Sequence, residues 1–108
     1  MGDVQMYMSI RHYDGIDASK IDELISVVIS GFLPIISKAP KFVSYQAIDC
    51  GNGEVAAITV FEDNASLEES NQLAADWVRD NIAHLIVNPP KITAGNVLYT
   101  YDSLGHIS

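Results

Sequence analysis

The chain has 108 residues, which is enough for one domain with its own core and too few for two. Its 14 acidic and 6 basic residues give a formal net charge of -8, which argues against nucleic acid and anionic membranes as partners. Hydrophobic residues make up 48% of the chain, which excludes a disordered protein, yet no apolar run approaches the roughly 18 residues of a membrane span.

The first part of the chain predicts a strand followed by a long helix. Residues 4–13 alternate with a period of two, which is typical of a strand. Between residues 21 and 36 apolar side chains recur every three or four positions, which predicts a helix that begins near residue 19. Because Pro34 has no N–H to donate and follows Gly31, we expect a kink or break between residues 30 and 34.

The middle of the chain predicts a hairpin and a second helix. Residues 42–50 and 54–61 are apolar, β-branched and aromatic runs on either side of a Gly-Asn-Gly turn, so they predict an antiparallel hairpin. Ser66 and Glu69 have the spacing of a capping box, which predicts a helix that continues to about Leu85.

The end of the chain predicts a last strand and a short tail. Residues 92–101 supply the strand, and residues 102–108 form a polar tail that we expect to be mobile unless a partner holds it. The order β-α-β-β-α-β with short connections predicts one α+β domain over residues 1–108. Its fold would be ferredoxin-like, a four-stranded antiparallel sheet with two helices on one face.

The uncovered face of this sheet predicts a homodimer. Strict alternation along the hairpin gives two apolar faces: Phe42, Ile48, Val55, Ala57 and Phe61 on one, and Val43, Tyr45, Ala47, Ala56, Ile58 and Val60 on the other. The helices can cover only one face, and a second copy of the chain is the simplest cover for the other. The alternative is a monomer with scattered exposed apolar residues.

Four stretches of the sequence carry a family resemblance. They are GFLPIISKAPKFVSYQ, ITVFED, EESNQLAADWV and ITAGNVLYTY. Together they span nearly the whole chain, and they resemble the antibiotic biosynthesis monooxygenase-like family of the dimeric α+β barrels. The resemblance implies a homodimer in which each subunit holds a pocket between its sheet and its helices. Some members oxidise polyketide phenols without a cofactor, some degrade haem, and others act on quinols or small lactones.

The resemblance to the haem-degrading members is incomplete at the residues that those members use. They combine an Asn on the first strand with a Trp and a His of the second helix. Trp77 and His84 are present here, but the first strand offers Ser9, Arg11 and His12 in place of an Asn. The resemblance therefore disfavours haem chemistry, and we expect no cofactor.

The cofactor-independent oxygenases provide a better match. They bind the phenol of the substrate with Tyr, Trp and Asn side chains, and the resemblance assigns these parts to Tyr45, Trp77 and Asn71. Arg11 lies mid-strand among apolar and aromatic neighbours, so if it is buried it requires an anionic ligand or a carboxylate of the other subunit. Tyr99 is a further candidate for the lining of the pocket, although tyrosines are also common in strands.

Histidine and tryptophan chemistry adds candidate catalytic residues. An imidazole exchanges protons near neutral pH, so His12 at the end of the first strand can serve as a general base, or it can be structural. His84 lies seven residues after Trp77, close to two turns, so the two would share one helix face. Each also has a structural interpretation, Trp77 in the core and His84 as a cation near the helix C-terminus.

Three functions follow as hypotheses. The first is a small-molecule pocket protein, namely a cofactor-independent monooxygenase of a small aromatic or acidic organic substrate. The second is a non-catalytic dimeric binding or scaffolding domain, and the third is a haem-binding degradative enzyme. The lone Cys50 has no neighbouring Cys or His that would give a metal-binding spacing, so we expect no metal. Residues 1–10 have no basic segment that would open a secretory signal, so we expect a cytoplasmic protein.

Overall fold

A computed structural model describes residues 5–107, so residue 4, the first of the predicted first strand, and the final serine lie outside that range. The strands are β1 (Tyr7–Tyr13), β2 (Phe42–Gly51), β3 (Glu54–Phe61) and β4 (Lys91–Asn96), and the helices are α1 (Ile21–Val27), α2 (Leu33–Ile36) and α3 (Asn64–Asn81). A 3₁₀ turn at Ala18–Lys20 precedes α1, and a π-helical turn at Val28–Phe32, here called the π-turn, joins α1 to α2.

The four strands form one antiparallel sheet, as the sequence predicts, and their order in it is β2-β3-β1-β4. The helices lie on one face of this sheet, and the core fills the space between the two layers. One cluster of buried apolar side chains gathers around Tyr13, Leu24 and Ile82, and a second gathers around Phe32, Phe61 and Leu67. The ferredoxin-like α+β fold expected from the order of elements is therefore confirmed.

The first helix breaks where the sequence predicts. Pro34 cannot donate a hydrogen bond to the carbonyl of Ser30, so the regular pattern must change one turn before it. The π-turn makes that change, and the N–H of Leu33 reaches back five residues to the carbonyl of Val28. Such turns are frequent at functional sites, and this one lies over the sheet.

The faces predicted for β2 are wrong because a bulge shifts its register. Phe42 pairs with Phe61, but Ser44 rather than Val43 pairs with the next residue, Val60. Because of this extra residue, each later side chain of β2 points to the face opposite to the predicted one. Tyr45 and Ala47 therefore face the helices together with their partners on β3, while Ile48 joins the opposite, uncovered face.

Both ends of α3 differ from the prediction. Asp63 caps the helix, since its carboxylate accepts hydrogen bonds from the N–H and the hydroxyl of Ser66, each at 2.9 Å. Ser66 is a donor to the cap and is not the cap itself, so the predicted capping box is wrong. The helix ends at Asn81 and not near Leu85, because the chain turns there to bury Ile82 in the core.

The last strand is shorter than predicted. β4 ends at Asn96, and after one further backbone bond from the Val97 N–H to the Met6 carbonyl the chain leaves the sheet. Residues 98–107, here called the C-terminal arm, fold into a small turn closed by pairing of Tyr101 with Ile107. The Asp102 carboxylate accepts two backbone N–H groups within this turn. Five large apolar or aromatic side chains of the arm are exposed: Leu98, Tyr99, Tyr101, Leu104 and Ile107.

None of the helices formed by residues 5–107 is both long and apolar enough to cross a membrane.

Candidate functional site

A cavity lies between the sheet and the helices. Its lining comes from β1, β2 and β3 below and from α1, the π-turn and α3 above, and its apolar walls include Leu24, Val28, Phe32, Ala57, Trp77 and Ile86. The rings of Phe32 and Trp77 pack with their centroids 5.4 Å apart, and the ring of Tyr45 meets Phe32 edge-on at 6.0 Å. The aromatic side chains therefore form a continuous wall.

The cavity is small in this conformation. The space open to the centres of water-sized molecules is about 50 Å³, and one water needs roughly 10–15 Å³ of such space. The closed cavity thus has room for a few waters or a compact organic group. A larger ligand requires the Trp77 ring or the π-turn to move.

The polar end of the cavity is built from β1, which presents Ser9, Arg11 and Tyr13 to the helices. The Arg11 side chain is only 2% exposed. Its Nε donates to the Tyr13 hydroxyl at 3.3 Å, and its Nη1 donates to the Thr59 hydroxyl at 3.3 Å and to the Asn71 amide oxygen at 3.0 Å. Every one of these acceptors is neutral.

Asn71 holds this end of the site together from α3. Its amide oxygen accepts from Arg11 and also from the hydroxyl of Ser9, at 2.8 Å. Asn71 itself lies behind Arg11 and outside the lining of the cavity. It is therefore placed to orient the guanidinium rather than to touch a ligand.

Tyr45 contributes a neutral hydroxyl to the lining. Burial raises the pKa of its phenol above the ordinary value of 10.0, and the nearby positive charge of Arg11 offsets only part of this increase. The side chain therefore stays protonated at neutral pH. Its hydroxyl lies within hydrogen-bonding reach of the Arg11 guanidinium, so the two groups form one polar patch in the lining.

The structure brings some of the predicted site residues together and separates others. Trp77, Tyr45 and Arg11 line the cavity, as a shared pocket requires. His12 lies on the uncovered face of the sheet, where its Nε2 contacts the Glu54 carboxylate at 3.0 Å. Tyr99 is in the C-terminal arm and is exposed, away from the cavity of its own chain.

His84 does not share a helix face with Trp77, because α3 ends at Asn81 and the chain changes direction before it. It lies at the surface, with its Nε2 3.8 Å from the Glu23 carboxylate. No histidine and no carboxylate line the cavity among residues 5–107. The side chains present therefore do not fit a haem ligated by histidine in this position.

Two site residues are not evident from the sequence. Tyr13 and Thr59 both accept from Arg11, and each reads as an ordinary strand residue. The alternation of β1 does place Tyr13 on the same side as Arg11, so this one could have been found. Within residues 5–107, no three His, Cys, Asp or Glu side chains gather in a way that would hold a metal ion.

Comparisons with known proteins give a clear result for the fold only. No protein-family model matches the sequence, and no curated protein matches it. Among solved structures, a protein of unknown function from Nitrosomonas europaea is similar with a TM-score of 0.74 and 19% identity, covering 96% of this chain and 100% of that one.

Several of the similar structures carry monooxygenase names, and two of them illustrate the likeness. One is a monooxygenase from Streptomyces coelicolor in complex with nanaomycin D, with a TM-score of 0.68, 15% identity and coverage of 84% of this chain and 86% of that one. The other, from Nitrosomonas europaea, is provisionally named an antibiotic biosynthesis monooxygenase, with a TM-score of 0.70, 14% identity and coverage of 87% and 91%. The chain therefore has the fold of the antibiotic biosynthesis monooxygenase-like proteins, as its sequence resemblance predicts.

Proposed function

We propose that this protein binds a small aromatic or acidic organic molecule in the cavity and oxidises it as a cofactor-independent monooxygenase. The observation that carries the proposal is the cavity itself, in which an aromatic wall of Phe32, Tyr45 and Trp77 meets the buried cation of Arg11. Apolar pockets with a few convergent polar groups are the usual form of a small-molecule site. A similar fold holds nanaomycin D in the monooxygenase from Streptomyces coelicolor.

The lining limits the chemistry that this chain can perform. Oxygen reacts with an organic molecule without a cofactor only when that molecule is electron-rich, as an ionised phenol or enol is. Because no described histidine or carboxylate lines the cavity, the protein supplies no general base there. The substrate must therefore ionise readily by itself, while the aromatic wall excludes water and Arg11 faces the resulting charge.

An anthrone is a suitable test substrate because its central CH₂ is acidic, although a molecule of three rings enters only if the Trp77 ring or the π-turn moves. Oxidation by one O₂ replaces both hydrogens of this carbon with one oxygen and releases one water, so the product is an anthraquinone. With ¹⁸O₂ we expect one labelled oxygen in the new ketone, and oxygen uptake faster than in buffer alone. The variant Arg79→Gln, which changes the other arginine of the chain on the exposed side of α3, serves as the matched control.

Binding can be followed separately from turnover. Trp77 is the single tryptophan and lies in the wall of the cavity, so a bound aromatic molecule should quench its fluorescence. Quenching without any acceleration of oxygen uptake would contradict the proposed monooxygenase activity and would favour the second hypothesis, a non-catalytic binding domain. The absence of a general base in the lining is the observation that favours this second candidate.

We further propose that the working form is a homodimer. The uncovered face of the sheet presents Met8 and Ile10 of β1 opposite Val60 and Ile58 of β3, with Ile48 beside them. Together with the exposed apolar side chains of the C-terminal arm, these residues give a second copy of the chain an apolar surface to cover.

Light scattering tests the homodimer directly. We expect a mass of twice the 11.8 kDa of one chain, and a shift toward the single-chain mass when residues 98–108 are removed. A full-length protein that stays at the single-chain mass at high micromolar concentration would contradict the homodimer. It would leave the cavity, which is formed within one chain, unaffected.

A further inference from the structure

We propose that the ligand is an organic oxyanion, a carboxylate or a phenolate, whose charged oxygen pairs with the Nη2 atom of Arg11. This inference rests on the proposed small-molecule pocket and specifies what the pocket selects. It starts from the state of the guanidinium, which is almost fully buried and has no acidic partner among residues 5–107. A buried guanidinium without a counter-ion is costly, and proteins normally pair it.

The side-chain hydrogen bonds of Arg11 within residues 5–107 involve mainly two of its three nitrogens. Nε and Nη1 donate to Tyr13, Thr59 and Asn71, and the one further acceptor within reach of the guanidinium is the neutral hydroxyl of Tyr45. No fully enclosed side-chain nitrogen or oxygen in the described part of the chain lacks a partner, so Nη2 must keep some contact with open space. Arg11 lines the cavity, and that space is the cavity. Nη2 carries two N–H groups, so at least one of them remains for a ligand.

A carboxylate of a partner subunit does not fit this position. Arg11 lies on the helix side of β1, between the sheet and α3, whereas the apolar surface proposed for the dimer is on the opposite side. The second arginine gives a contrast, because Arg79 is exposed and already pairs with Asp76 and Asp80. Of the two guanidinium groups, the buried one is the one that has no carboxylate partner among residues 5–107.

The rest of the lining makes the selection specific for charge. The walls are apolar and aromatic and carry no acidic or basic group besides Arg11 among the described residues. A neutral ligand of the same shape would fill the same space, and could accept a hydrogen bond, but would leave the charge of Arg11 without a counter-ion. Hydrogen bonds to a charged group contribute about 1.5–3 kcal/mol, which corresponds to about 10- to 100-fold in affinity.

The test compares benzoate with benzamide, which has nearly the same shape and no charge, by Trp77 fluorescence and calorimetry at constant ionic strength. We expect benzoate to bind about 10- to 100-fold more tightly. 4-Nitrophenol, titrated from its neutral to its ionised form, distinguishes a phenolate from a carboxylate ligand. A preference for either anion over its neutral counterpart supports the inference.

Two variants locate the preference at Arg11. Arg11→Gln removes the charge, and Asn71→Asp places a carboxylate where an oxygen already lies 3.0 Å from Nη1. Both variants should still bind benzamide but should bind benzoate no more tightly. If Arg11→Gln does not fold, Asn71→Asp still provides the test, because its carboxylate can accept the same hydrogen bonds. Arg79→Gln should keep the full preference. Circular dichroism confirms that each variant is folded.

The outcomes separate this inference from the proposed function. Equal affinity for benzoate and benzamide, or a preference that survives in Asn71→Asp, would overturn the anion site and leave a small-molecule pocket. If benzoate, benzamide and both forms of 4-nitrophenol all fail to bind, the pocket function falls together with the anion site.

Discussion

Replacing Asn71 with leucine should destabilise the protein far more than a single side-chain amide usually does. The Asn71 oxygen is the shared acceptor of Ser9, which is fully buried, and of Arg11, which is nearly so. Leucine keeps the branched shape but removes the acceptor, so two buried donors lose a partner at once. Each orphaned buried donor costs about 1–3 kcal/mol, and we expect about 3 kcal/mol in total.

Urea denaturation at fixed protein concentration measures this loss of unfolding free energy. Since about 1 kcal/mol shifts the Tm of a small domain by about 4–8 °C, a fall of roughly 12 °C or more should accompany it. Ser9→Ala leaves Asn71 paired with Arg11 and should cost less than about 1 kcal/mol. Gln72→Leu makes a similar amide-to-leucine change at the next, exposed position and should change stability by less than about 0.5 kcal/mol. Equal costs for Asn71→Leu and Ser9→Ala would refute the shared-acceptor argument.

Three further predictions follow from local geometry. Tyr45→Phe should reduce the fall of the unfolding free energy at alkaline pH. The pKa of Tyr45 is higher in the folded than in the unfolded state, so the protonated phenol stabilises the fold below the unfolded-state pKa. This stabilisation is lost as the pH rises through the folded-state pKa. Asp63→Asn keeps the helix cap but should reduce the stability that is lost as the pH falls below 3.8. Hydrogen bonds from Ser66 lower the pKa of the Asp63 carboxylate in the folded state, and the stabilisation that they give is lost when this carboxylate is protonated. Gly31→Ala would place a methyl group 2.8 Å from Cζ2 of Trp77, so it should lower the unfolding free energy by about 1–3 kcal/mol. In a Trp77→Phe background the same change should cost about half as much or less. Thermal denaturation measures both.

The order of elements was predictable from the sequence because hydrophobic periodicity and turn residues are local properties. The break near Pro34 was predictable for the same reason, since a missing N–H acts wherever the proline lies. The bulge after Phe42 was not, because one extra residue leaves the amino-acid pattern of β2 unchanged while it turns the following side chains over. Tyr45 reached the cavity through that bulge, so its position there could be inferred only from the family resemblance.

The candidate site was only partly predictable because it depends on where α3 ends. The spacing of His84 from Trp77 supports a shared face only if the helix continues past both residues. The core instead recruits Ile82 by turning the chain after Asn81, and tertiary packing of this kind has no local sequence pattern. Asn71, in contrast, was found through the family resemblance, but its contact with Arg11 across 60 positions is visible only in the structure.

The orientation of β1 links the cavity to the proposed dimer. A strand that covers a simple core turns its apolar side chains inward, yet β1 turns Ser9 and Arg11 toward the helices and leaves Met8 and Ile10 on the uncovered face. Buried polar groups reduce stability unless they are paired, so the proposed ligand gives a reason for this strand to keep its polar side at the cavity. The proposed dimer would cover the apolar side, because a second chain offers the same surface. The orientation of one strand therefore underlies both proposals: it places the Arg11 guanidinium, which has only neutral partners among residues 5–107, at the cavity, and it leaves an apolar sheet face behind it.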